Sequence, residues 1–263
     1  MAQASANVNI MIKAARKAAR SLIRDFGEVE NLQVSAKGPG DFVSRADIKA
    51  EQLIREELTE ARPNYGWFAE EGGEVKGTDP TRRWIVDPLD GTSNFLHGMP
   101  HWAVSIALEH KGEIVAGVIY DPVKDEMFVA EKGAGAYLND RRLRVSGRRE
   151  MIEMLFGTGI PFGGSPHLPL HLREMAALAP RSAGIRRLGV ASLDFAYVAA
   201  GRLDGFWEHG LHPWDIAAGI LMVREAGGFV GPFVEGADIF ESRGVIAANT
   251  AIFEPLGTLL RSV

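Results

Sequence analysis

Two aspartates three positions apart follow an apolar run in the segment Trp84-Ile85-Val86-Asp87-Pro88-Leu89-Asp90-Gly91-Thr92. The run predicts a strand over Trp84–Val86. A tight turn through Pro88 and Leu89 would bring both carboxylates to one side and leave the Leu89 carbonyl free as a ligand. Crowded carboxylates that are buried without a cation have raised pKa values. Because the available ligands are hard oxygens, the segment indicates magnesium, manganese or calcium rather than zinc or copper.

Gly91 and Thr92 follow the second aspartate directly. Gly91 has no side chain, so a phosphate can approach its backbone closely. The sequence Thr92-Ser93-Asn94 is typical of a helix start, where free N–H groups attract anions. Asp-Pro and Asp-Gly pairs are also common in ordinary turns, so the string alone leaves both interpretations open. A haloacid-dehalogenase phosphatase is disfavoured, because the spacing here is D-x-x-D-x-T instead of D-x-D-x-T.

Three further acidic positions follow or begin predicted elements. Glu70-Glu71 comes directly after the predicted strand Tyr65–Ala69. Adjacent residues on a strand point to opposite faces, so only one of the pair can face a shared site. Asp47 lies near one helix start, and taken alone its position favours a helix cap. Asp215 begins another helix and is equally consistent with a cap and with a functional residue.

The remaining patterns predict both helices and strands. Apolar residues at helical spacing between Ile10 and Ile23 predict a first helix. Further helices are predicted at Ala46–Glu60, Ser192–Ala200, Asp215–Ala226 and Ile252–Leu260. An antiparallel meander is predicted from Ala103–Leu108, Ile114–Tyr120, Met127–Ala130 and Ala136–Leu138. After Arg149 strands and helices alternate, and no linker divides the chain cleanly, so residues 1–263 are predicted to form one domain of two packed halves, 1–149 and 150–263.

Composition excludes several classes of protein. The chain has 263 residues, 46% of them hydrophobic, and a net charge of -5, which gives no bulk attraction to nucleic acid or anionic lipid. There are no cysteines, which excludes disulfides, zinc-thiolate sites and a cysteine nucleophile. No stretch approaches the roughly 20 apolar residues of a membrane span, and the first 26 residues have no signal-peptide core. We therefore expect a cytoplasmic protein without a membrane segment.

Taken together, the acidic segments resemble the inositol monophosphatase family of lithium-sensitive, magnesium-dependent phosphatases. Within that family, the amino-acid sequence is most similar to the bacterial SuhB-type members. Four segments match the family pattern in order over nearly the whole chain: Asp41 to Asp47, Glu70-Glu71-Gly72, Asp87 to Thr92, and Trp214-Asp215 through Gly228. The resemblance implies an α+β fold, the layered α-β-α-β-α sandwich of the sugar phosphatases, and a homodimer.

The resemblance also implies a role for each matching residue, with two or three Mg²⁺ per subunit. Glu70, Asp87 and the Leu89 carbonyl would hold a first ion. Asp87, Asp90 and Asp215 would hold a second, and a third would use Glu70 and water. Catalysis would use Glu70, Thr92 and Asp47 to orient the attacking water. The substrate, a small phosphorylated alcohol, would be bound through the phosphate by Gly91 and Thr92 and through the alcohol by Ala191 and Glu208.

Two departures and two alternatives bear on the function. Ser44 stands where the family usually has Thr, and Gly157 to Pro166 differs from the animal enzymes near the sugar.

The expected reaction is hydrolysis of myo-inositol 1-phosphate. The same chemistry on histidinol phosphate, a sugar bisphosphate or an adenosine phosphate stays open. The resemblance also leaves open a non-catalytic role with proteins of the transcription complexes that make ribosomal RNA, through the basic loop Arg141–Arg149 or the dimer face.

Some residues with reactive or charged groups receive a structural interpretation. His97, His101, His209 and His212 are interpreted as packing or surface residues, since an oxygen-rich magnesium site needs no imidazole. Gly157-Thr158-Gly159 is interpreted as a turn at the end of a strand. The pairs Arg141-Arg142 and Arg148-Arg149 are interpreted as a solvated basic loop.

Overall fold

The computed structural model describes residues 4–28, 34–38, 41–161 and 165–263, and for 34–38 and 41–43 it describes the backbone only. Its helices are α1 (Ala6–Phe26), α2 (Arg45–Ala61), α3 (Thr92–Leu96), α4 (Leu168–Leu178), α5 (Ala191–Ala199), α6 (Pro213–Glu225), α7 (Ile239–Ser242) and α8 (Phe253–Arg261). Its strands are β1 (Val34–Gly38), β2 (Asp41–Ser44), β3 (Tyr65–Ala69), β4 (Gly73–Val75), β5 (Asp79–Asp90), β6 (Ala103–His110), β7 (Glu113–Asp121), β8 (Glu126–Glu131), β9 (Gly135–Leu138), β10 (Arg141–Arg142), β11 (Leu155–Thr158), β12 (Gly184–Arg186), β13 (Gly205–His209), β14 (Phe229–Pro232) and β15 (Gly244–Ala248). The four helices predicted after residue 45 correspond to α2, α5, α6 and α8, and the predicted meander corresponds to β6–β9. Both predictions are confirmed, with ends that differ by at most two residues.

Two sheets contain nearly all of the strands. The larger has the order β10-β9-β8-β7-β6-β5-β3-β4, and the smaller has the order β12-β11-β13-β15-β14. In the larger sheet β3 and β5 run parallel, while β5 and β6 run antiparallel. Because β3 and β5 are parallel neighbours, their carboxyl ends lie side by side. The acidic residue that follows β3 and the two aspartates at the carboxyl end of β5 are therefore brought to the same edge.

Alternating side chains of β5 divide the core between two faces of the larger sheet. Trp84 and Val86 pack with buried residues of α1 and α2 on one face. Ile85 packs on the other face with α5 and α6. The period of two along the strand thus places a helical layer on each side of this sheet.

The smaller sheet is covered in the same way. Phe206 of β13 faces the α5–α6 layer, and the next residue, Trp207, faces a separate cluster that includes Leu178 of α4 and Leu256 of α8. The layers are therefore helix, sheet, helix, sheet, helix, which confirms the predicted α-β-α-β-α sandwich. The division into halves at residue 149 stays a prediction. In the described ranges no helix is long and apolar enough to cross a bilayer.

Candidate active site

A β-bulge in β5 brings Asp87 and Asp90 to one face of the strand. Asp87 pairs with Ser105 of β6 and Asp90 pairs with Ala103, so two residues of β5 lie opposite one residue of β6. Ser105 and Ala103 are two residues apart on β6, so their side chains point to the same face of the sheet. The side chains of Asp87 and Asp90, which lie opposite them, therefore point to one face as well. The predicted tight turn was wrong, as was the predicted end of the strand at Val86, because β5 continues through the bulge to Asp90.

The bulge has a local cause in the sequence. Pro88 has no N–H group to donate to the ladder. The next N–H group, that of Leu89, is bound instead by the Asp87 carboxylate, with the nitrogen 2.9 Å from Oδ1. The carboxylate thereby holds the extra residue in place, and its second oxygen is left for another partner.

Glu70 lies beside Asp87 at the carboxyl end of β3. The Glu70 N–H group donates to the Val86 carbonyl at 3.2 Å, which continues the β3–β5 ladder by one step. The negative charge of Glu70 raises the pKa of Asp87, Asp90 and Asp215. The Glu70 carboxylate therefore faces the three aspartates, as the prediction for one member of the Glu70-Glu71 pair required.

Asp215 belongs to the first turn of α6 and acts there as a cap. Its Oδ2 accepts a hydrogen bond from the His212 N–H group at 2.7 Å. Its carboxylate is also close enough to Asp90 for the charge of Asp90 to raise its pKa. The two interpretations of Asp215 are thus compatible, because one oxygen caps the helix while the group as a whole belongs to the acidic cluster.

Burial is the largest cause that raises the pKa of each of these aspartates. It brings the pKa of Asp90 to about 6 and those of Asp87 and Asp215 well above the ordinary value. Neighbouring carboxylates add to the effect, chiefly Glu70 and Asp90. Three buried aspartates whose pKa values are raised in this way, with the charge of Glu70 beside them, are stable as anions only when a cation neutralises them.

The donor set is suited to a hard divalent cation, although the geometry of a metal cage is not formed. Within residues 4–28, 34–38, 41–161 and 165–263, no three carboxylate, imidazole or thiol groups are arranged as a group that could hold a metal ion. Each aspartate instead holds a backbone N–H group with one oxygen, and for Asp90 this is the Ser192 N–H group at 2.7 Å. The remaining oxygens, the acidic charge and the absence of sulfur ligands fit Mg²⁺.

Asp47 and Thr92 are joined by a hydrogen bond. Asp47 is fully buried and caps α2 by accepting from the Ser44 N–H group at 2.9 Å. Its other oxygen accepts from the Thr92 hydroxyl at 2.9 Å, and the same hydroxyl lies 3.0 Å from the Leu89 carbonyl. Burial raises the pKa of Asp47, while the hydrogen bonds from Ser44 and Thr92 oppose that rise. The cap and the contact with the site therefore coexist, as they do at Asp215.

Gly91 is the residue at which β5 passes into α3. Its φ of +94° is in the left-handed region, and a Cβ atom there would lie 2.7 Å from Cγ2 of Val190. Glycine is thus required both by the backbone and by the close approach of the residue before α5. Ala191 begins α5 next to this contact, so Gly91 and Ala191 lie on the two sides of one narrow junction.

Glu208 lies near the end of β13, close to the acidic cluster. Burial, followed by the charge of Asp90, raises the pKa of Glu208 to about 8. A Cβ atom on Gly159 would come within 1.9 Å of the Glu208 carboxyl group. The turn predicted at Gly157-Thr158-Gly159 follows the end of β11 and leaves the space that this carboxyl group occupies.

The sequence interpretation missed two buried acids near the site. Asp194 is 1% exposed, and neither of its oxygens has a hydrogen-bond partner among the described residues. Glu51 is 5% exposed and accepts from the Glu71 N–H group at 2.9 Å, so it supports the turn after Glu70. Signals were present for both: Asp194 is the only acid in the apolar helix α5, and Glu51 lies one helical turn after Asp47 on the buried face of α2.

The four histidines match their structural interpretation. His97 is exposed, and His101 contacts Lys124 at 3.2 Å. The His209 Nε2–H group donates to the Glu174 carboxylate at 2.8 Å, and His212 stacks on Trp214 with ring centroids 4.5 Å apart. In the departing segment Gly157 to Pro166, residues 162–164 lie outside the described residues.

Comparison with known proteins places this arrangement in a family. The model of the inositol monophosphatase family matches residues 4–262. The chain is 58% identical to an inositol-1-monophosphatase of Mesorhizobium japonicum over 94% of this chain and 93% of that protein. It is 45% identical to the Nus factor SuhB of Pseudomonas aeruginosa, over 97% of this chain and 95% of that protein.

The same likeness holds for the fold. The crystal structure of the extragenic suppressor protein suhB from Bartonella henselae superposes with a TM-score of 0.95 at 56% identity, covering 98% of this chain and 99% of that chain. The family resemblance given by the acidic segments is confirmed. The chain belongs to the inositol monophosphatase family and is a phosphatase that hydrolyses phosphoric monoesters.

Proposed function

We propose that the chain hydrolyses myo-inositol 1-phosphate to inositol and phosphate with Mg²⁺ as its cofactor. The observation that carries the proposal is the convergence of Glu70 with Asp87, Asp90 and Asp215 at one edge of the large sheet, where burial and the charge of Glu70 raise the pKa of all three aspartates. The relative named inositol-1-monophosphatase supports this substrate. Histidinol phosphate, a sugar bisphosphate and an adenosine phosphate are the competing substrates, since they would use the same acidic cluster.

The proposed metal ligands form overlapping sets for two ions, with a third ion in addition. Glu70, Asp87 and the Leu89 carbonyl would hold the first ion. Asp87, Asp90 and Asp215 would hold the second, and a third would use Glu70 and water. Bound Mg²⁺ supplies positive charge that neutralises the phosphate and the departing alkoxide and favours loss of a proton from the attacking water. The Leu89 carbonyl lies 3.0 Å from the Thr92 hydroxyl and has two lone pairs, so this neighbour leaves it able to act as a ligand.

Thr92 and Asp47 orient the attacking water in this proposal. A hydroxyl group has one proton, and donation to Asp47 leaves the Thr92 oxygen free to accept from water. Because Asp47 is held by Ser44, the direction of that proton is fixed by the cap of α2. Glu70 accepts a hydrogen bond from the second O–H group of the water, so the oxygen lone pair is directed at phosphorus.

The remaining residues bind the substrate. The first N–H groups of a helix have no intrahelical partner, so those of Gly91 and Thr92 at the start of α3 bind the phosphate oxygens. Glu208, whose pKa is about 8, carries its proton near neutral pH and can donate a hydrogen bond to a substrate hydroxyl. Ala191 contacts the alcohol without adding bulk at the junction of α5 and Gly91.

Phosphate release from a panel of esters tests the proposal. We expect myo-inositol 1-phosphate to be preferred, activity to require Mg²⁺, and Asp87→Asn to reduce kcat by about a hundredfold or more. Asp79→Asn is the matched control, because Asp79 lies at the other end of the same strand and bonds to Thr81 and Arg82. Preference for another ester would overturn the substrate, and metal-independent activity would overturn the mechanism.

A second candidate function is association with transcription proteins, which the name Nus factor SuhB of the Pseudomonas relative favours. Asp87→Asn separates the two functions if the variant folds and dimerises like the natural chain. Complementation of a deletion strain by Asp87→Asn would support the association. Failure of that variant, with rescue by Asp79→Asn, would assign the phenotype to catalysis.

The homodimer, inhibition by lithium and the cytoplasmic location stay part of the proposal. Light scattering across a dilution series measures the dimer. Activity in LiCl against activity in KCl at equal ionic strength measures the inhibition.

A further inference from the structure

A cavity of about 410 Å³ lies at the end of β13 that is remote from Glu208. It is lined by Ser146, Gly147, Arg148, Arg149, Thr250 and Ala251. Asp204, which immediately precedes β13, contacts two of these residues. A strand rises about 3.3 Å per residue, so the cavity wall and Glu208 are separated by roughly 13 Å along β13. The cavity is therefore separate from the candidate active site.

Buried Asp204 fixes the loop that carries the two arginines. Its Oδ1 accepts from the Ser146 hydroxyl at 2.5 Å and from the Arg148 guanidinium at 3.2 Å. Its Oδ2 accepts from the Leu155 N–H group at 2.8 Å. Asp204 is 0% exposed, and its three bonds hold one wall of the cavity in a defined position.

Asn249 fixes the opposite wall. Its side-chain amide donates to the Ser146 hydroxyl at 2.8 Å and to the Arg148 carbonyl at 3.1 Å. Its Oδ1 accepts from the N–H groups of Ala251 and Ile252 at 3.0 and 3.1 Å. One buried side chain thus joins the loop before β11 to the turn before α8, and the cavity lies between them.

The cavity is lined by two guanidinium groups, and only one of them is paired with a carboxylate. Arg148 shares its charge with Asp204 at 3.2 Å. Arg149 is exposed and forms no ion pair with any residue that the structure describes. Thr250 is exposed beside them and adds a hydroxyl donor. Guanidinium groups pair with phosphate through parallel N–H bonds, and a cavity of this size is within the usual range for small ligands, about 300–1,000 Å³.

We propose that this cavity binds a small phosphoryl dianion, either inorganic phosphate or the phosphate group of a small ester. Arg149 supplies the unpaired charge, Arg148 supplies a second guanidinium that Asp204 and Asn249 hold in place, and Thr250 supplies a hydroxyl. The site goes beyond the proposed function, because it does not use the acidic cluster.

Calorimetric titration of the metal-free chain with inorganic phosphate tests this site. Without a metal the acidic cluster repels phosphate, so binding there does not obscure the second site. We expect saturable binding of one phosphate per chain and chemical-shift changes of the Gly147 and Thr250 amides in NMR spectra. Arg149→Gln should weaken binding about tenfold or more, as expected for loss of a charge-assisted contact. Arg141→Gln, which removes an exposed arginine from β10, should change it less than about twofold.

The outcomes are distinct. Absence of saturable binding, unchanged affinity in Arg149→Gln, or equal weakening in Arg149→Gln and Arg141→Gln would each overturn the proposal. Arg149 is the first choice for substitution, because Arg148→Gln would leave buried Asp204 without its cation. Titration with glycerol 2-phosphate separates the two sources: tighter binding than phosphate identifies an ester, and weaker binding identifies inorganic phosphate. Magnesium-dependent activity is expected to be the same in Arg149→Gln and the natural chain.

Discussion

At the residue scale, Glu70 and Glu71 show how neighbours of the same type acquire different roles. The Glu70 charge acts on Asp87, Asp90 and Asp215, whereas the Glu71 N–H group is bound by Glu51 on the side of α2. The backbone explains the difference, since the Glu70 N–H group continues the β3–β5 ladder by one step, whereas the Glu71 N–H group has turned towards α2. Charge alone would make the pair equivalent.

Substitution of each member of the pair gives the first prediction. Glu70→Gln should lower kcat/KM by about a hundredfold or more and weaken Mg²⁺ binding, because it removes a ligand charge from the cluster. Glu71→Gln should change both by less than about threefold, because it leaves that cluster intact. Steady-state kinetics at several Mg²⁺ concentrations measure both. Equal losses in the two variants would contradict the assignment of Glu70.

Gly91 gives a second prediction at this scale. Gly91→Ala should destabilise the fold by about 2–3 kcal/mol, because it combines a left-handed φ with a Cβ atom 2.7 Å from Val190. The control is Gly98→Ala, whose φ is +68° but which has no atom within 4 Å of the added Cβ atom. Its expected cost is about 1 kcal/mol. Urea unfolding measures both, and equal costs would show that contact with Val190 is unimportant.

At the element scale, the helices and meander were predictable because their apolar periodicity is local. The bulge at Pro88-Leu89 was not, since it is defined by the register of β5 against β6, and register depends on residues distant in sequence. Glu51 was missed for a similar reason: its helix was predicted, but its contact with the Glu71 N–H group requires knowing how α2 packs on β3. The acidic residues themselves were recognisable because each follows or begins an element.

The packing of α2 gives a third prediction. Glu51→Ala removes the acceptor for the Glu71 N–H group, so the turn that directs Glu70 should loosen and Mg²⁺ affinity should fall about tenfold or more. Glu51→Gln retains an amide oxygen and should recover most of that affinity. Glu57→Ala is the control, because Glu57 is another buried acid of α2 and pairs with Lys13 and Lys17 instead.

Thermal unfolding and Mg²⁺ titration separate these effects. Glu57→Ala should lower the unfolding temperature without changing Mg²⁺ affinity. Glu51→Ala should change both. If Glu57→Ala weakened Mg²⁺ binding to the same extent, the effect would be one of general helix stability, and the positioning role of Glu51 would be wrong.

At the scale of the whole molecule, the site depends on all three central layers. The large sheet supplies Asp87 and Asp90, while α5 and α6 of the middle layer supply the Ser192 N–H group and Asp215. The small sheet supplies Glu208. Local periodicity could not predict this layering, because the pattern of a strand does not specify which helix packs on which of its faces. The layering was predicted from the family resemblance. Because acids from separate layers are buried together, we expect the stability of the fold to depend on pH and, under the proposed function, on metal.

That sensitivity gives the last prediction. Aspartates with raised pKa values bind protons more tightly in the folded state, so their stabilisation is complete below about pH 4 and is lost as pH rises through about 6 for Asp90 and higher for Asp87 and Asp215. In the proposed function, Mg²⁺ would replace the lost protons as the neutralising charge. We expect saturating Mg²⁺ to raise the unfolding temperature by roughly 5 °C or more at about pH 8 and by much less at about pH 5. The pKa of His101 is lowered to about 4, so its contribution to stability is lost as pH falls instead of as pH rises. That contribution is expected to be the same with and without Mg²⁺, and it therefore cancels from the difference between the two unfolding temperatures. Calorimetric scans in MgCl₂ and in EDTA measure it. An equal effect of Mg²⁺ at both pH values would show that the buried carboxylates are not what the metal neutralises.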